Sequence, residues 1–362
     1  VGLQGISGLN ATNVQLIGLT VESISLQSSS VEANGIRGGS ITVSDSTLDL
    51  ENSRFEGGWW GLDCTGASTV DVVNCFFTGY ESACHVATNA SLRLLNTSLV
   101  RNYRQAVLGD GAGTLDMNHC VVAYNHWQGV AGGFAGGGIS NSVIWKNNMD
   151  IEAWGDIQVR YCAFPWPQSV STNGNIQVDD PGWINTALDN YRLRSDSPLI
   201  NQGGADATAD IDGEARPYGG ASDIGVDEMH DADGDGMSDF WEQANSATNA
   251  AQNLDGDGMT NLEEYRSGFN PRLADGPVQV YVSLAGSDET GGGSSANPFR
   301  TIQKGMDWAA QRGGGTVNIS TGDWWALAYE MRDEVTLKGA GQDQTVFHPW
   351  EDIIQGNRNV GI

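Results

Sequence analysis

The chain has 362 residues with 49 glycines, and its 45 acidic residues against 18 basic ones give a formal net charge of −27. This charge repels nucleic acid and anionic lipid surfaces, so neither is an expected partner. No apolar run approaches the roughly 20 residues that a membrane-spanning helix requires. Only 17% of the residues are charged, which argues against disorder caused by charge repulsion.

The register of the first coils is ambiguous. From residue 48 onwards the sequence repeats about every 22 residues, and one reference residue of each repeat is called position zero. Residues 13–21 fit this repeat with Gly18 at position zero, and residues 24–31 fit it with Ser28 at position zero. The short stretch between Gly18 and Ser28 cannot form a full coil, so one of the two assignments must be wrong or irregular. Val1 already falls within the pattern and no signal peptide precedes it, so a mature or excised piece is expected.

An internal repeat of about 22 residues is clear from residue 48 onwards. With Asn52 as position zero, equivalent positions follow at nearly constant intervals along the chain. They are Asn74, Asn96, His119, Asn141 and Tyr161. Apolar residues recur two before and three after position zero, which predicts a strand, a bend and a second strand. This pattern is typical of an all-β, right-handed parallel β-helix whose coils stack ~4.8 Å apart.

Equivalent residues of successive coils should form ladders along the axis of such a fold. A second set of amides lies six residues after position zero, at Asn102, Asn125 and Asn147. Stacked amides hydrogen-bond along the axis and satisfy backbone groups of the turns. We therefore interpret both ladders as structural.

The five cysteines are expected to be mostly buried free thiols. Cys75, Cys120 and Cys162 directly follow position zero in coils that are two apart, or about 10 Å at the spacing of stacked strands. A disulfide requires Cα atoms within ~7 Å. A bridge between Cys64 and Cys84, in adjacent coils, would need a favourable offset and stays open.

Three further segments, SDSPLINQG (195–203), DIDGEARP (210–217) and SDIGVDE (222–228), also follow the repeat pattern. This run resembles the closing segment of secreted bacterial β-helix proteins of the pectate-lyase-like superfamily. The resemblance implies that residues 1–228 form the β-helix body with its C-terminal cap, ending near Glu228. It also implies a secreted or cell-surface protein.

Two twelve-residue segments, 231–242 and 253–264, match the calcium loop position by position. The predicted ligands of the first loop are Asp231, Asp233, Asp235, the carbonyl of Met237, Asp239 and Glu242. Those of the second are Asn253, Asp255, Asp257, the carbonyl of Met259, Asn261 and Glu264. Helices follow the loops but none precedes them. The pair resembles the tandem half-EF-hand or thrombospondin type 3-like repeats of secreted bacterial proteins, which implies two Ca²⁺ sites within a linker, 229–276.

Residues 280–348 resemble the opposite end of the same kind of domain. A strand and glycine loop precede a predicted helix over 297–311, with Asn297 as N-cap. The predicted apolar face of the helix consists of Phe299, Ile302, Met306, Ala309 and Ala310. In the family this helix covers the first coil, and 316–325 and 335–346 would be the first coils. Residues 277–362 therefore look like the beginning of a β-helix.

The order of these parts is inverted, which predicts that another copy completes the solenoid. With Gly339 at position zero, the stretch that leads across a junction of two copies to Gly18 is close to two coils in length. Head-to-tail contacts that do not close generate filaments. We therefore expect a structural, calcium-stiffened extracellular fibre. A truncated fragment, a circular permutation within one chain and a long tandem polypeptide remain as alternatives.

An outward stripe of large side chains follows the second amide ladder. It comprises Trp59, Trp60, Glu81, Tyr103, Arg104, His126 and Trp127, with Asp63 and His85 nearby. Aromatic rings stack on sugar faces, so glycan contact is predicted for this stripe except Glu81. Polysaccharide hydrolases need paired carboxylates, and the stripe supplies one. Binding without catalysis is therefore favoured over a lyase or hydrolase, and a turn packed with aromatics is the structural alternative.

Overall fold

The computed structural model describes residues 5–166, 173–255, 259–273, 278–288, 290–293, 295, 297–311, 314–326, 331–332, 335–341 and 344–349. The chain divides into two compact units. Unit one comprises Val1–Trp183 with Tyr191–Phe240, and unit two comprises Ile184–Asn190 with Trp241–Ile362. Among the described residues, no helix has the length and apolar character that crossing a bilayer would require.

Unit one is built from short parallel strands. They are β1 (Ile6–Leu9), β2 (Val14–Ile17), β3 (Thr20–Gln27), β4 (Ser30–Asn34), β5 (Arg37–Ser44), β6 (Thr47–Glu51), β7 (Arg54–Thr65), β8 (Thr69–Val73), β9 (Phe76–Val86), β10 (Ser91–Leu95), β11 (Ser98–Val100), β12 (Val107–Asp110), β13 (Thr114–Asn118), β14 (Val121–Ala123), β15 (Gln128–Phe134), β16 (Gly136–Ser140), β17 (Val143–Trp145), β18 (Met149–Gly155), β19 (Gln158–Arg160), β20 (Ala163–Phe164) and β21 (Ile176–Gln177). Two more strands, β22 (Trp183–Asn185) and β23 (Asn190–Leu193), pair with each other around a 3₁₀ turn at Thr186–Leu188.

These strands form two parallel sheets that wind around one apolar core. The eight-stranded sheet has the order β19-β16-β13-β10-β8-β6-β4-β2. The thirteen-stranded sheet follows β1-β3-β5-β7-β9-β11-β14-β17-β20-β21, and β9 also pairs with β12, which leads to β15 and β18. Each coil passes from the first sheet to the second, and equivalent residues such as Asn52 and Asn74 are 22 positions apart. The predicted right-handed parallel β-helix is therefore confirmed.

Position zero of the repeat is the bend between the two sheets. All six predicted residues from Asn52 to Tyr161 adopt left-handed backbone conformations, with φ between 47° and 55°. Asparagine tolerates this conformation better than most residues do, which explains why it recurs there. The core positions flanking the bend are buried in each coil, from Leu50 and Phe55 to Ile139 and Ile144.

The first coils are shorter than the predicted repeat. In the pairing β2-β4-β6, the last residues of the three strands are in register, and Gly18, Gly35 and Asn52 follow them directly. The hydrogen bonds between these coils join residues that are 17 positions apart. The assignment of Gly18 to position zero is confirmed and that of Ser28 is wrong. Ser28 also has a left-handed φ of 48°, but it lies at the other bend, after a strand of the thirteen-stranded sheet. The sequence pattern is ambiguous there because each short coil contains two left-handed bends of similar sequence.

The second amide ladder is formed as predicted. Asn102 Nδ2 donates to Asn125 Oδ1 at 2.8 Å, and Asn125 Nδ2 donates to Asn147 Oδ1 at 2.8 Å. Each amide oxygen also accepts a backbone N–H, as Asn102 Oδ1 does from Tyr80 of the neighbouring coil at 3.1 Å. The three residues are buried, so this ladder supplies the hydrogen bonds that backbone at an interior corner needs.

The ladder ends at a buried carboxyl group, Asp150. Its Oδ1 accepts from Asn147 Nδ2 at 3.1 Å, whereas its Oδ2 is buried and has no hydrogen-bond partner in the described part of the chain. Burial disfavours the charged form and raises the pKa of Asp150. A carboxyl group whose pKa is raised by folding lowers the stability as the pH rises through that pKa.

We therefore expect Asp150→Asn to increase the free energy of unfolding at neutral pH by about 1 kcal/mol, because the variant has no charge to bury. The gain should disappear toward pH ~3, where the wild-type carboxyl is protonated in both states. Urea denaturation across this pH range measures both effects. Asp116→Asn, at an exposed position of β13, is the control, and an equal pH dependence in both variants would contradict the assignment.

All five cysteines are buried free thiols. Cys84 pairs in register with Leu62 rather than with Cys64, so the two inward-facing thiols are offset by two residues. The disulfide between them, which required a favourable offset, is not formed. Burial raises the pKa of Cys75, Cys120 and Cys162 to about 12. These thiols serve as small apolar core residues rather than as nucleophiles.

The closing segment does not add coils, contrary to the expectation that it follows the repeat. The thirteen-stranded sheet ends at β21, and later residues cover its outer face instead. The cluster there joins Val100, Val121, Ala123, Val143, Trp145 and Ala163 of the sheet to Val178, Trp183, Tyr191, Leu193, Leu199, Ile224 and Val226. Strands β11, β14 and β17 are buried on both faces, so their outward apolar residues require this cover.

Residues at position zero also hold the closing segment in place. Asn96 Oδ1 accepts from Arg216 Nη1 at 2.9 Å, and Asn141 Oδ1 accepts from the backbone N–H of Gly204 at 2.7 Å. The buried Arg216 lies 3.5 Å from Glu228 Oε2. The first amide ladder is therefore an anchor for residues far along the chain, a role that the repeat pattern did not reveal.

Unit two contains a small capped sheet. Strands β24 (Val278–Val282), β25 (Gly315–Ile319) and β27 (Val335–Gly339) are parallel, and β26 (Gly322–Ala326) pairs with β28 (Thr345–Pro349). Helices α1 (Asp239–Asn245) and α2 (Asn261–Ser267) follow the two predicted calcium loops, and α3 is Ile302–Ala310. The core under α3 includes Phe299, Ile302, Met306 and Ala309, as the apolar face predicted, whereas Ala310 is half-buried.

Two details of unit two differ from the predictions. Helix α3 is capped by Thr301, whose hydroxyl accepts the N–H of Lys304 at 3.2 Å, and not by Asn297. The Phe299 N–H donates a hydrogen bond to the Tyr281 carbonyl at 3.0 Å, so Phe299 has an extended backbone and lies before the helix. Gly339 is the last residue of a strand and has no left-handed φ, so its assignment to position zero is wrong. The number of residues from Gly339 of one copy to Gly18 of the next therefore no longer measures whole coils. The predicted join itself includes 350–362, which lie outside the described residues.

Candidate functional site

The predicted aromatic stripe lies on the surface of unit one, beside the strands that follow the second amide ladder. Exposed fractions are 66% for Trp59, 64% for Tyr103 and 46% for Trp127. Arg104 and His126 are also exposed, and the Arg104 guanidinium lies 4.6 Å from the ring centre of Trp127. Trp59 and Trp127 are three coils apart, or roughly 14 Å along the axis.

An insertion in one strand brings the first two tryptophans to the surface. Strand β7 pairs with β5 in register at Gly38 with Phe55 and again at Ile41 with Leu62, so β7 is longer between these points. The extra residues include Trp59 and Trp60 and are rich in glycine. This irregularity turns bulky side chains outward while the flanking core residues keep their ladder positions.

Trp60 covers a hydrogen-bonded group of titratable side chains. Its ring stacks on His85, with ring centres 4.7 Å apart. His85 Nδ1 lies 2.7 Å from Asp63 Oδ1, and His85 Nε2 lies 3.0 Å from Asp110 Oδ2. The three residues come from β7, β9 and β12, which are consecutive in the sheet, so the parallel register assembles the group.

The hydrogen bond from Asp63 is the main reason why the pKa of His85 is raised, and Asp110 adds to it, although partial burial opposes both. A histidine bonded at both nitrogens to carboxylates is favoured as an imidazolium. Both of its nitrogens are engaged, so His85 fixes the orientation of two carboxylates on this face. Asp110, with a side chain that is 52% exposed, remains accessible to a ligand.

A groove of about 480 Å³ continues from this group toward later coils. Its lining includes Gln105, Asp110, Gln128, Glu152 and Trp154 over a floor of small residues. Gln128 Nε2 donates to Glu152 Oε2 at 2.6 Å. Trp154 is exposed. The groove thus offers amides, carboxylates and an aromatic ring together, which are the groups that bind hydroxyl-rich ligands.

Sequence reasoning found one part of this surface and missed the other. The stripe and the neighbouring pair of Asp63 and His85 were identified, and the structure brings the pair into contact. Asp110, Glu152 and Trp154 were not. Extending the repeat alignment to the strand after the second ladder would have found them, because Asp63, His85 and Glu152 occupy one row and Asp110 the next outward row.

The first predicted calcium loop gathers carboxylates in unit one. The carboxylate oxygens of Asp231, Asp233 and Asp235 lie within 4.8 Å of one another. Asp231 accepts the N–H groups of Gly234 and Gly236 at 2.8 and 3.0 Å. Asp239 accepts the N–H of Ala232 at 2.9 Å, which closes the loop. Met237 is buried, and Glu242 follows in α1.

The second loop lies in unit two, and its Asp257 falls outside the described residues. Asn261 begins α2 and is completely buried. Its Nδ2 donates to the Asn249 carbonyl at 2.9 Å, whereas its Oδ1 accepts no hydrogen bond from the described residues. Glu264 is likewise buried. A buried amide oxygen without a donor fits the role of a cation ligand, since Ca²⁺ takes such oxygens.

Comparison with known proteins adds little to this geometry. No protein-family model matches the sequence, and no curated protein matches it. Among solved structures the chain is similar to the crystal structure of pectate lyase Pel9A, at 12% identity and a TM-score of 0.39. That match covers 63% of this chain and 87% of the other. The strand topology described above therefore defines the class, a parallel β-helix protein, and the function must be argued from the surface itself.

Proposed function

We propose that this protein is an extracellular β-helix that binds polysaccharide along the aromatic stripe and the adjoining groove. The observation that carries the proposal is the set of exposed rings Trp59, Tyr103 and Trp127, together with the exposed Trp154 and the hydrogen-bonding side chains of the groove. Exposed aromatic clusters rimmed by polar groups mark binding sites rather than ordinary surface.

The chemistry of this face favours neutral sugars. Tryptophan and tyrosine rings contribute large apolar area at low entropic cost and stack on the C–H faces of sugars. Gln105 and Gln128 offer amides, and Asp110 and Glu152 offer acceptors for hydroxyl groups. The same carboxylates, within a chain of net charge −27, repel an anionic polymer from this groove.

Replacing both Trp60 and Trp127 with alanine tests this proposal. We expect at least about tenfold weaker retention on a neutral polysaccharide, since a loss of ~1.4 kcal/mol of binding free energy corresponds to tenfold. Affinity electrophoresis in gels that contain the polymer measures the retention. Trp166→Ala, at an exposed tryptophan outside the stripe, should leave retention unchanged. Equal mobility of all variants on every neutral polymer would refute binding by the stripe.

The same preparation distinguishes binding from cleavage. This face carries more carboxylates than the sequence indicated, namely Asp63, Asp110 and Glu152. His85 is hydrogen-bonded to the first two of them. Release of new reducing ends from the retained polymer by the wild type, and its loss in Asp110→Asn, would assign polysaccharide degradation to this face. Retention without new ends is the outcome that the proposal expects.

A second function, as a calcium-stiffened structural module, is favoured by the two loops. The converging oxygens of Asp231, Asp233 and Asp235 support a first Ca²⁺ site, and the buried Asn261 oxygen supports a second. Ca²⁺ prefers six to eight oxygen ligands. In this proposal Asp239, Glu242, Asn253, Asp255, Asp257, Glu264 and the Met237 and Met259 carbonyls provide the remainder. Metal binding then orders the linker 229–276.

This structural role includes assembly of copies head to tail. Unit two resembles the beginning of a β-helix, because α3 covers a short parallel sheet whose core includes Val280, Val317 and Met306. Unit one provides coils in which a further parallel rung could pair with β1 and β2. The proposed contact joins the last strands of unit two to the first strands of unit one in a neighbouring copy.

Removing calcium tests the structural role. With a chelator we expect trypsin or endoproteinase Glu-C to cleave the intact chain within 229–276 at least about tenfold faster, because the crowded carboxylates repel one another without the ion. Asp231→Asn combined with Asp233→Asn should reproduce this effect in calcium. Cleavage rates that are identical with and without the chelator would contradict calcium binding. Sedimentation velocity in calcium tests assembly, and a single monomer boundary at all concentrations would contradict it.

A further inference from the structure

Two tryptophan rings of the aromatic stripe lie against basic side chains of a neighbouring coil. The guanidinium of Arg104 lies 4.6 Å from the ring centre of Trp127. The ring of Trp60 stacks on His85, with ring centres 4.7 Å apart and 29° between the ring planes. A guanidinium remains charged at every pH that a folded protein tolerates, whereas an imidazole changes its charge near neutral pH. The two contacts therefore respond differently to pH.

Strand register determines how Trp60 reaches the imidazole. Trp60 pairs with Ser82 and Asp63 pairs with His85, so the indole extends along the strands to cover His85. The His85 side chain is 13% exposed, and Trp60 is half-buried whereas Trp59 is 66% exposed. The imidazole thus supports one face of the indole, and its charge determines how firmly the indole is held.

The contacts of His85 select the charged form of its ring. Nδ1 lies 2.7 Å from Asp63 Oδ1, and Nε2 lies 3.0 Å from Asp110 Oδ2. A neutral imidazole has one N–H, so its second nitrogen would direct a lone pair at a carboxylate. The hydrogen bonds to Asp63 and then Asp110 raise the pKa of His85 above its usual 6.5, although partial burial opposes them. The imidazolium is therefore lost only as the pH rises through this raised pKa.

His85 is the group on this part of the surface whose charge changes near neutral pH. The facing carboxylates are Asp63 of β7 and Asp110 of β12. The same row continues to Thr42 of β5 and Ala131 of β15, which do not titrate. The remaining titratable residues of β7 and β9 belong to the core or lie at least four residues along the strand from this row. They are Arg54, Glu56 and Cys64 of β7, and Tyr80, Glu81 and Cys84 of β9.

We propose that the His85 imidazolium positions Trp60 for sugar stacking, so that polysaccharide binding by the stripe weakens as the pH rises and the imidazolium releases its proton to solvent. This inference rests on the proposed function of the stripe. Deprotonation removes the cation beneath the indole and the hydrogen bond to one of the two carboxylates. Trp127 keeps its contact with the charged Arg104, so only the part of the stripe around Trp60 responds.

Binding of the full chain to neutral polymers between about pH 5 and pH 9 tests the inference. Soluble xyloglucan and galactomannan carry no titratable groups. Affinity electrophoresis measures the retention at each pH, relative to a gel without polymer. We expect the affinity to fall about two- to fivefold as the pH rises, as loss of one cation–π contact implies. Asp63→Asn removes the largest cause of the raised pKa of His85, so the fall should occur at lower pH in this variant.

Three variants assign the pH dependence to the two rings. His85→Gln retains hydrogen-bonding groups without a charge, so its affinity should stay low and constant across the pH range. Trp60→Ala should also bind weakly without pH dependence. Trp127→Ala should bind more weakly than the wild type yet lose affinity by the same factor as the pH rises. A pH dependence that persists unchanged in His85→Gln overturns the inference.

A second histidine with a carboxylate partner provides the matched control. His348 Nε2 lies 2.7 Å from Asp323 Oδ1 in unit two, so His348→Gln should bind as the wild type does at every pH. Burial raises the pKa of Glu214 and of Asp223 to about 7. Both residues are unchanged in His85→Gln, so the difference between this variant and the wild type isolates the effect of His85.

Nuclear magnetic resonance without polymer tests the contact itself. The imidazole signals of His85 and the indole N–H signal of Trp60 are assigned from His85→Gln and Trp60→Ala. We expect both signals to shift with one midpoint, since each ring senses the same proton. A Trp60 signal that ignores the titration of His85 overturns the inference, as does retention that is constant with pH, and polysaccharide binding itself then stands. No retention of the wild type at any pH overturns the proposed function and this inference with it.

Discussion

Asn125→Leu is expected to lower the free energy of unfolding by about 3–5 kcal/mol, because each buried group left without a hydrogen bond costs ~1–3 kcal/mol. Asn125 is 2% exposed and joins three coils. Its Oδ1 accepts from the N–H and from Nδ2 of Asn102, at 3.0 and 2.8 Å. Its Nδ2 donates to the Leu99 carbonyl at 3.0 Å and to Asn147 Oδ1 at 2.8 Å.

Leucine has the same branching as asparagine and a larger volume, so this variant removes hydrogen bonds without opening a cavity. Urea denaturation followed by circular dichroism measures the loss. Asn34→Leu is the control, since Asn34 makes an exposed hydrogen bond to Glu51 at 3.1 Å. Its effect should remain within ~0.5 kcal/mol, as for ordinary surface replacements. A loss below about 1 kcal/mol for Asn125→Leu would mean that the ladder has little energetic importance.

Trp183→Ala is expected to destabilise unit one by about 3–5 kcal/mol, as truncation of large buried aromatics does. Trp183 is 5% exposed and packs edge-on against Tyr191 and Trp145, with ring centres 5.1 and 6.5 Å apart. It lies in the cluster that attaches the closing segment to the outer face of the thirteen-stranded sheet. Loss of this contact should also expose residues 195–222 to protease.

Trp183→Phe separates packing from polarity. Trp183 Nε1 is buried and finds no acceptor in the described part of the chain, so phenylalanine removes an unsatisfied donor together with some volume. We expect a loss below ~1.5 kcal/mol for this variant. Thermal unfolding and limited proteolysis measure both variants. Equal losses for alanine and phenylalanine would show that the cluster does not depend on the bulk of this ring.

Much of the fold could be predicted because stacking imposes periodicity on the sequence. Left-handed bends select Asn, and inward positions select apolar residues, so both recur once per coil. The same argument failed for the first coils, where the two different bends at Gly18 and Ser28 carry similar flanking residues. It also failed for the closing segment, because its apolar residues fill an outer face and repeat no coil.

The candidate sites were predictable only where local spacing defines them. The calcium loops are local motifs, so each ligand could be named from its position within one loop. The group of Asp63, His85 and Asp110 depends on the register of three strands, and only Asp63 and His85 were suspected.

The lengthening of the coils after the first few has a consequence for variation in this scaffold. The added residues lie mainly in one corner, between the register pair Gly38–Phe55 and the register pair Ile41–Leu62. They include Trp59 and Trp60. Residues on either side keep their partners, so the corner can lengthen or change composition in one coil while neighbouring coils remain in register. Ligand binding and core packing thus depend on separate segments, the corner and the paired strands. A new ligand preference could be introduced at this corner with little loss of stability.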